Sequence, residues 1–356
     1  MDAAARIPLV YALHSGNLYG TERMALYTAS ALADRFDTTV LAPPGPVHAE
    51  AARLGFRSRS FEGARQFAFE LRRHIASTPK LAFLATGVMH SLACLAWNLT
   101  YRRRIAHLHL VHGGADERLS YGRKRILNGS PVRFVAVSKY VRERLIANGV
   151  RPKQITVVEN FMTDCALKKS TVRKPFSEAG VRRIAVISRL DPEKRVDLLV
   201  EALEKNPDLR RLEISIFGTG WDSEVLQKRA AASALNVTFE GFRKDVAERL
   251  AASDLLVHLC PVEPFGLAVL EAMAAHVPVL VPDSGGAALL IESGRSGFTF
   301  EANNSASLAE AIRGVDALEP SALNKIILNA RRLLETRFSE HERIADYRRL
   351  LMEVLA

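Results

Sequence analysis

Two glutamates bracket the start of an apolar helical pattern in CPVEPFGLAVLEAMAAHVPVLVPDSGG, residues 260 to 286. Glu263 lies before it and Glu271 about one turn inside it. The strand-like run DLLVHLCP leads into the loop VEPFG, and the helix begins near Gly266. A helix that starts after a parallel strand presents unpaired backbone N–H groups and the positive end of its dipole, which together attract phosphate. Phe265, Gly266 and Leu267 would be the donors. A ligand whose phosphates rest there would meet a carboxylate on each side, and carboxylates suit the hydroxyls of a ribose or a sugar. Acidic residues near a helix start are also favoured by about 0.3–1 kcal/mol with no ligand at all, so spacing alone leaves both readings open.

A second cluster, ISRLDPEKRVDLLVEAL, sets Arg189 at a strand end, Asp191 and Pro192 in a turn and Lys194 just before a helix. Arginine clamps a diphosphate bidentately and lysine acts as a compact point charge, so the pair can neutralise a leaving diphosphate. The plainer reading is a surface ion pair of Lys194 with Asp191 or Glu193.

These residues need strands and helices in strict alternation to hold them. The chain opens with the strand IPLVYAL, the polar loop HSGNLYGTE, the helical pattern RMALYTASALADRF and the strand TTVLAP, with further strands at 81–86, 107–112 and 133–138. This is a parallel α/β pattern. ITVVENFM leads into the apolar-poor run TDCALKKSTVRKPFSEAG, which reads as a linker. Beyond it strands and helices alternate again, from RRIAVISR through LEISIFG, VTFEGF and DLLVHLCP to PVLVP. The expected domains are 1–165 and 181–338 with a linker at 166–180, and a helix at 339–356 returning to the first domain. Two doubly wound sheets facing each other would set their strand ends at one interdomain cleft.

Composition bounds the rest. At 356 residues, 48% hydrophobic and 25% charged, the chain suits two globular domains and excludes disordered, collagenous and coiled-coil classes. Cys94, Cys165 and Cys260 are isolated, which gives neither a disulfide framework nor a Cys-x-x-Cys metal pair. The opening MDAAARIPLVYALHSG has an acidic residue at position 2 and only a seven-residue apolar run after Arg6, too short for a signal peptide or membrane span. A cytoplasmic protein is the expectation. Charge is lopsided: residues 1 to 170 carry 25 basic and 12 acidic side chains, against 24 and 27 in residues 171 to 356. The excess gathers in RQFAFELRRH, YRRRIAHLHL and YGRKRIL. Such clusters are ordinarily a solvated face; the sharper reading is a surface for an anionic acceptor or a membrane, each basic residue adding roughly 1 kcal/mol.

In order along the chain, SRLDPEKRVDLLVEAL, FGTGW, FEGF, ASDLLVHLCPVEPFGLAVLEAMAAHVPVLVPDSGG and SGFTF resemble the retaining GT-B glycosyltransferases of family 4, the glycosyl transferases group 1. The first half is similar too, through HSGNLYGTERMALYTASAL, HLHLVHGG, VAVSKYVRERLIANGV and ITVVENFM. The resemblance covers most of the chain and is densest from 182 to 300. It implies a GT-B fold of two Rossmann-like domains and nucleotide-sugar binding between them. Matched by position, Arg189 and Lys194 would be the diphosphate cations, Glu271 the ribose ligand and Glu263 the partner of donor-sugar hydroxyls. His112 would lie near the sugar carbon and the acceptor. Gly16 and Gly20 would let the first loop approach the donor closely, and Gly218 and the loop ending at Arg243 would flank the nucleotide. His276 occupies a position that is usually small, often Gly.

The implied reaction is attack of an acceptor hydroxyl on the anomeric carbon, with retention of configuration and departure of a nucleoside diphosphate. Cations and a helix terminus preorganised around the developing charge stabilise the transition state, so no cofactor and no metal is expected, and Asp-x-Asp is absent from the sequence. The implied partners are a nucleotide sugar, a glycan, lipid-linked or small-molecule acceptor in cell-envelope or glycolipid synthesis, and an anionic membrane face, but no nucleic acid. Other classes fit less. FGTGWDS lacks the third glycine of a dinucleotide fingerprint, and no P-loop occurs. A GT-B-fold epimerase or phosphorylase shares the motifs. A nucleic-acid-binding protein would explain the basic half but not the ordered motifs.

Overall fold

The computed structural model describes residues 6–114, 116–243 and 245–356; Asp2, used above for the opening stretch, lies outside them. The chain forms two compact units, one of residues 1–160 with 340–356 and one of residues 161–339.

The first unit holds seven parallel strands: β1 Ile7–Ala12, β2 Phe36–Ala42, β3 Arg57–Ser60, β4 Lys80–Ala85, β5 Arg104–Val111, β6 Arg133–Ala136 and β7 Ile155–Val157. Their order is β3-β2-β1-β4-β5-β6-β7. The central strands β1 and β4 are nearly continuous apolar runs because helices cover both faces, whereas β5 carries His107 and His109. β3 is RSRS, mostly exposed, and as an edge strand it needs no apolar alternation. The helix Gly63–Ser77 seats Phe67, Leu71 and Ile75 against Val10, Phe83 and Cys94. The helix Glu340–Leu355 packs on β4, β5 and the helix Gly20–Ala31, burying Ile344, Tyr347, Leu350 and Leu351.

The second unit holds six parallel strands: β8 Arg183–Ile187, β9 Glu213–Phe217, β10 Val237–Gly241, β11 Leu255–Val257, β12 Val279–Pro282 and β13 Phe298–Phe300. Their order is β10-β9-β8-β11-β12-β13. The helix Val196–Lys205 buries Val196, Leu198, Leu199, Val200, Ala202 and Leu203, and each large aliphatic contributes about 1.5–3 kcal/mol. Among the described residues no helix is long and apolar enough to cross a membrane.

Both sheets have a point where successive connections diverge, between β1 and β4 in one and between β8 and β11 in the other. Loops leaving the carboxyl ends of such strands splay apart and open a crevice, where ligands of open α/β sheets bind. The loops at these points are 13–19 and 86–87 in the first unit, and 188–195 and 258–266 in the second.

The helix Leu267–Ala274 closes in a Schellman turn. Val277 N donates to the Ala272 carbonyl at 2.9 Å and His276 N to the Met273 carbonyl at 3.3 Å. That geometry puts the residue after the cap in the left-handed region, where glycine is preferred, and His276 has φ of 58°. Relieving a Cβ in this region is worth about 1 kcal/mol. His276→Gly is therefore expected to raise the urea midpoint of the second unit by the equivalent of about 1 kcal/mol; an unchanged or lowered midpoint would show that imidazole contacts outweigh the backbone strain.

Candidate functional site

The second unit's chemistry gathers where β8 and β11 diverge. Lys194, in the 3-10 turn Pro192–Lys194 after β8, donates from Nζ to Glu263 Oε2 at 2.7 Å across 69 residues of sequence. Both side chains are largely buried, 16% and 17% exposed. Burial alone would discharge both groups, but each opposes the other's loss of charge. The net result is a lysine held above its ordinary value and a carboxylate held below its own. His258, just past β11, brings Nε2 to 3.6 Å from the same Glu263 oxygen, beyond hydrogen-bonding range. Burial pulls His258 below the ordinary histidine value against the upward pull of Glu263, so the ring is neutral near pH 7. Burial pushes the Cys260 thiol up to about 11 despite the nearby lysine.

Arg189 does not join that pair directly. Its Nη2 contacts Asp191 Oδ2 and Glu193 Oε1, each at 3.0 Å, with the side chain half-exposed. Both contacts use one nitrogen, so the other edge of the guanidinium is not committed to them. The carboxylates that could have paired with Lys194 at the surface belong instead to Arg189.

Gly266 caps the helix Leu267–Ala274. Val269 N donates to the Gly266 carbonyl at 3.0 Å, which leaves Leu267 and Ala268 as the first-turn N–H groups that no helix carbonyl satisfies. Phe265 reaches that terminus only through its backbone, because its ring is 3% exposed and packs edge-on against Phe338 at 5.9 Å. Glu271 is half-buried, one turn into the helix. At the end of β9, Gly218 has φ of 137° and donates to the Gly241 carbonyl at 2.8 Å. A Cβ there would lie 1.9 Å from the Ser188 carbonyl oxygen, so glycine is required for the ends of β8 and β9 to meet. Arg243 is clamped bidentately by Asp245 at 2.9 and 3.0 Å.

In the first unit a cavity of about 1490 Å³ opens where β1 and β4 diverge, lined by His14, Thr86, His90, His112 and Lys124 among others. His112 follows β5 directly. Its Nε2 has no protein partner, and burial, reinforced by His14, lowers it to about 3, so it is a neutral hydrogen-bonding group. His107 and His109 lie two apart within β5 and point elsewhere: both bond the buried Ser91 hydroxyl, at 3.0 and 2.8 Å. His14 Nδ1 lies 2.8 Å from Thr86 Oγ1. Gly16 is packed where a Cβ would sit 2.3 Å from the Pro44 carbonyl oxygen, and its own carbonyl accepts from Val47 N at 3.0 Å. Its absent side chain serves loop-on-loop packing. Gly20 opens the helix Gly20–Ala31, whose Glu22 turns back to accept from Tyr19 N at 3.2 Å.

Three residues at these sites escaped the sequence reading. His258 carried a signal, a lone imidazole in an otherwise apolar run. Cys260 and Lys124 carried none. Lys124 belongs to the YGRKRIL cluster, yet it is buried, its Nζ donates to the Ser120 carbonyl, and burial lowers it to about 8. Among the described residues no group of three or more His, Cys, Asp or Glu side chains is placed to hold a metal ion.

Two family models match the chain: Glycosyltransferase Family 4 over residues 18–163 and Glycosyl transferases group 1 over residues 168–333. The chain is similar to a GDP-mannose-dependent alpha-mannosyltransferase of Mycobacterium tuberculosis, 31% identical over 169 residues that make up 46% of this chain and 43% of the relative. It is also similar to the N-acetyl-alpha-D-glucosaminyl L-malate synthase of Bacillus anthracis, 28% identical over 58% of this chain and 56% of that one. The chain thus spans about half the length of the curated relatives it matches. Among solved structures, Anabaena HepE in complex with UDP-glucose superposes with a TM-score of 0.82 at 20% identity, covering 98% of this chain and 100% of that one. A glycosyltransferase from Rickettsia africae gives the same score at 19% identity, over 98% and 99%. At these identities the likeness establishes the two-sheet GT-B fold.

Removing Lys194 leaves the Glu263 carboxylate buried without its cation, which costs about 3 kcal/mol. Lys194→Met is expected to lower unfolding free energy by that amount at pH 7. In the wild type, Glu263 is held below its ordinary value, so its contribution is present above pH 4.5 and lost as pH falls further. In the variant the uncompensated carboxyl titrates higher, so the gap between the two proteins narrows toward pH 4.5. Urea melts at pH 7 and pH 5 test this; a gap independent of pH would mean that the pair is not the source of the loss.

Proposed function

From the membership of this chain in the GT-B glycosyltransferases, in the glycosyl transferases group 1, we propose that it moves a sugar from a nucleoside-diphosphate sugar to an acceptor hydroxyl with retention at the anomeric carbon. The observation that carries this reading is the buried Lys194–Glu263 pair beside the N-terminus of the helix Leu267–Ala274. Lys194, the free edge of Arg189 and the first-turn N–H groups offer positive charge to a diphosphate. Glu263 and Glu271 offer acceptors for hydroxyls on either side of it.

In the reaction, the acceptor oxygen bonds to the anomeric carbon as the bond from that carbon to the diphosphate oxygen breaks. The electron pair leaves with the nucleoside diphosphate, and the acceptor's proton is released. The work left to the protein is to stabilise negative charge growing on the departing diphosphate. Arg189 and Lys194 do so from fixed positions, without a metal, and preorganised donors of this kind are worth about 100-fold or more each. Lys194 reaches that role already desolvated, so its attraction to a phosphate is weakly screened. Glu263 also holds Lys194 in place. His112 serves as a neutral partner for hydroxyls in the first unit's cavity, and no enzyme nucleophile is assigned. A role in building cell-envelope glycans is part of this reading, and the helix Gly63–Ser77 supports a membrane-facing one, since Arg65, Phe69, Arg72 and Arg73 are all exposed along one side of it.

Saturation-transfer NMR with UDP-, GDP-, ADP-, CDP- and dTDP-sugars tests the donor reading. One donor should saturate selectively in the wild type and lose contact in Glu271→Ala. A folded wild type that contacts none of them would overturn it. Once a donor is known, Arg189→Ala should reduce transfer by about 100-fold. Because Asp191, one of its two partners, is buried, the same change should also lower stability, by about 1–3 kcal/mol, so transfer is compared on protein shown to be folded. Product analysis separates transfer from epimerisation or phosphorolysis. Co-sedimentation with anionic liposomes at low salt, weakened by Arg72→Glu with Arg73→Glu, tests the membrane face, and no co-sedimentation would remove it.

A further inference from the structure

We propose that Lys124 is the counter-charge for an acidic group, phosphate or carboxylate, carried by the acceptor that enters the first unit's cavity. The inference rests on the reading of the chain as a sugar transferase and narrows the class of acceptor.

Lys124 stands in the 3-10 turn Gly122–Leu127 and is 7% exposed, yet it lines the cavity. Its recorded protein contact is the Ser120 carbonyl, a neutral acceptor. Among the described residues no carboxylate lies within ion-pair distance of it. Glu117, in the same wall, is occupied by Arg144 at 2.6 Å and by Asn148 at 2.7 Å. A buried cation without an anion is costly, and proteins keep such groups where a ligand supplies the missing charge.

The surroundings point the same way. Arg118, Arg123 and Arg125 line the same cavity and are exposed, so positive potential leads inward to Lys124. His112, neutral and with its buried Nε2 lacking a protein partner, stands on the same lining. The acceptor this describes bears an acidic group in addition to its hydroxyl. Met89, Leu119 and Ile126, exposed on the lining, add an apolar surface that a lipid-borne acceptor would use and a soluble one would not. The alternative is that Lys124 merely caps the last carbonyls of the short helix Glu117–Ser120, in which case its charge would not affect which small molecules bind.

The test follows the ring nitrogens of His14 and His112 in the full chain by long-range proton–nitrogen correlation, during titration with glycerol 3-phosphate, glycerate and neutral glycerol. The acidic probes should shift these signals and glycerol should not. Lys124→Met should weaken the acidic response about tenfold or more, and Lys124→Arg should restore part of it. Equal responses to glycerol and glycerol 3-phosphate in the wild type, or no response to any probe, overturn the proposal without reference to a variant. So does a Lys124→Met protein that binds the acidic probes as the wild type does. A stronger response to dihexanoyl phosphatidylglycerol than to glycerol 3-phosphate supports a lipid-borne acid, and an equal one supports a soluble acid. Donor saturation measured on the same samples separates the two readings. Donor contact with no acid selectivity sinks only the role of Lys124, whereas loss of donor contact in the wild type sinks the transferase reading itself.

Discussion

A single buried ion pair organises the second unit's candidate site. Lys194 and Glu263 lie on loops that leave two neighbouring strands in opposite directions, and their contact at 2.7 Å ties those loops together at the point where the sheet's connections diverge. Desolvation works against each charge taken singly, so each depends on its partner to stay ionised. Other features follow from that junction. Glu193 and Asp191 are left to hold Arg189 near the surface, His258 stays neutral beneath the pair, and the helix that begins at Leu267 starts beside it. The pair sets Lys194 in place without any ligand, and donors fixed in advance are what electrostatic stabilisation of a leaving group requires.

The sheet is the part of this molecule most legible in the sequence. Runs such as IPLVYA, LAFLA and RIAVI are apolar because both faces of a parallel sheet are covered, and that constraint leaves a continuous signal. The exceptions lie at the margins. RSRS at β3 is an edge strand whose side chains face solvent, and FTF at β13 is too short for periodicity to register. The site is legible in a different sense. The types and order of Arg189, Lys194, Glu263 and Glu271 stand out, but which cation meets which carboxylate does not, because the contact is made across 69 residues by loops whose course the strands decide. For the same reason Lys124 looked like one more solvated cation among Arg123 and Arg125, and only the folded chain distinguishes it.

The two units apply one architecture to opposite electrostatic ends. In the second, burial is offset by charge pairing, so ionised groups persist at the sheet's divergence point. In the first, burial is left largely unopposed. His112 is lowered to about 3, His90 to about 4 and Lys124 to about 8, so the buried titratable groups that line the cavity are neutral or weakly held cations. Glycine has a comparable structural task in each: Gly16 and Gly218 remove a Cβ where two stretches of backbone meet, which fixes the loops that carry His14 and Arg189.

The first unit is discontinuous in sequence, and this bears on how the protein comes to exist. Its sheet is complete by residue 157, but the helix that covers part of β4 and β5 is supplied by residues 340 to 355. A ribosome delivers all of the continuous second unit between those two events. Chains generally fold domain by domain from the amino end, but here the strand surface that the last helix covers is still open when the second unit has all of its own residues. The time for which that surface is uncovered on the nascent chain therefore includes the synthesis of the whole second unit.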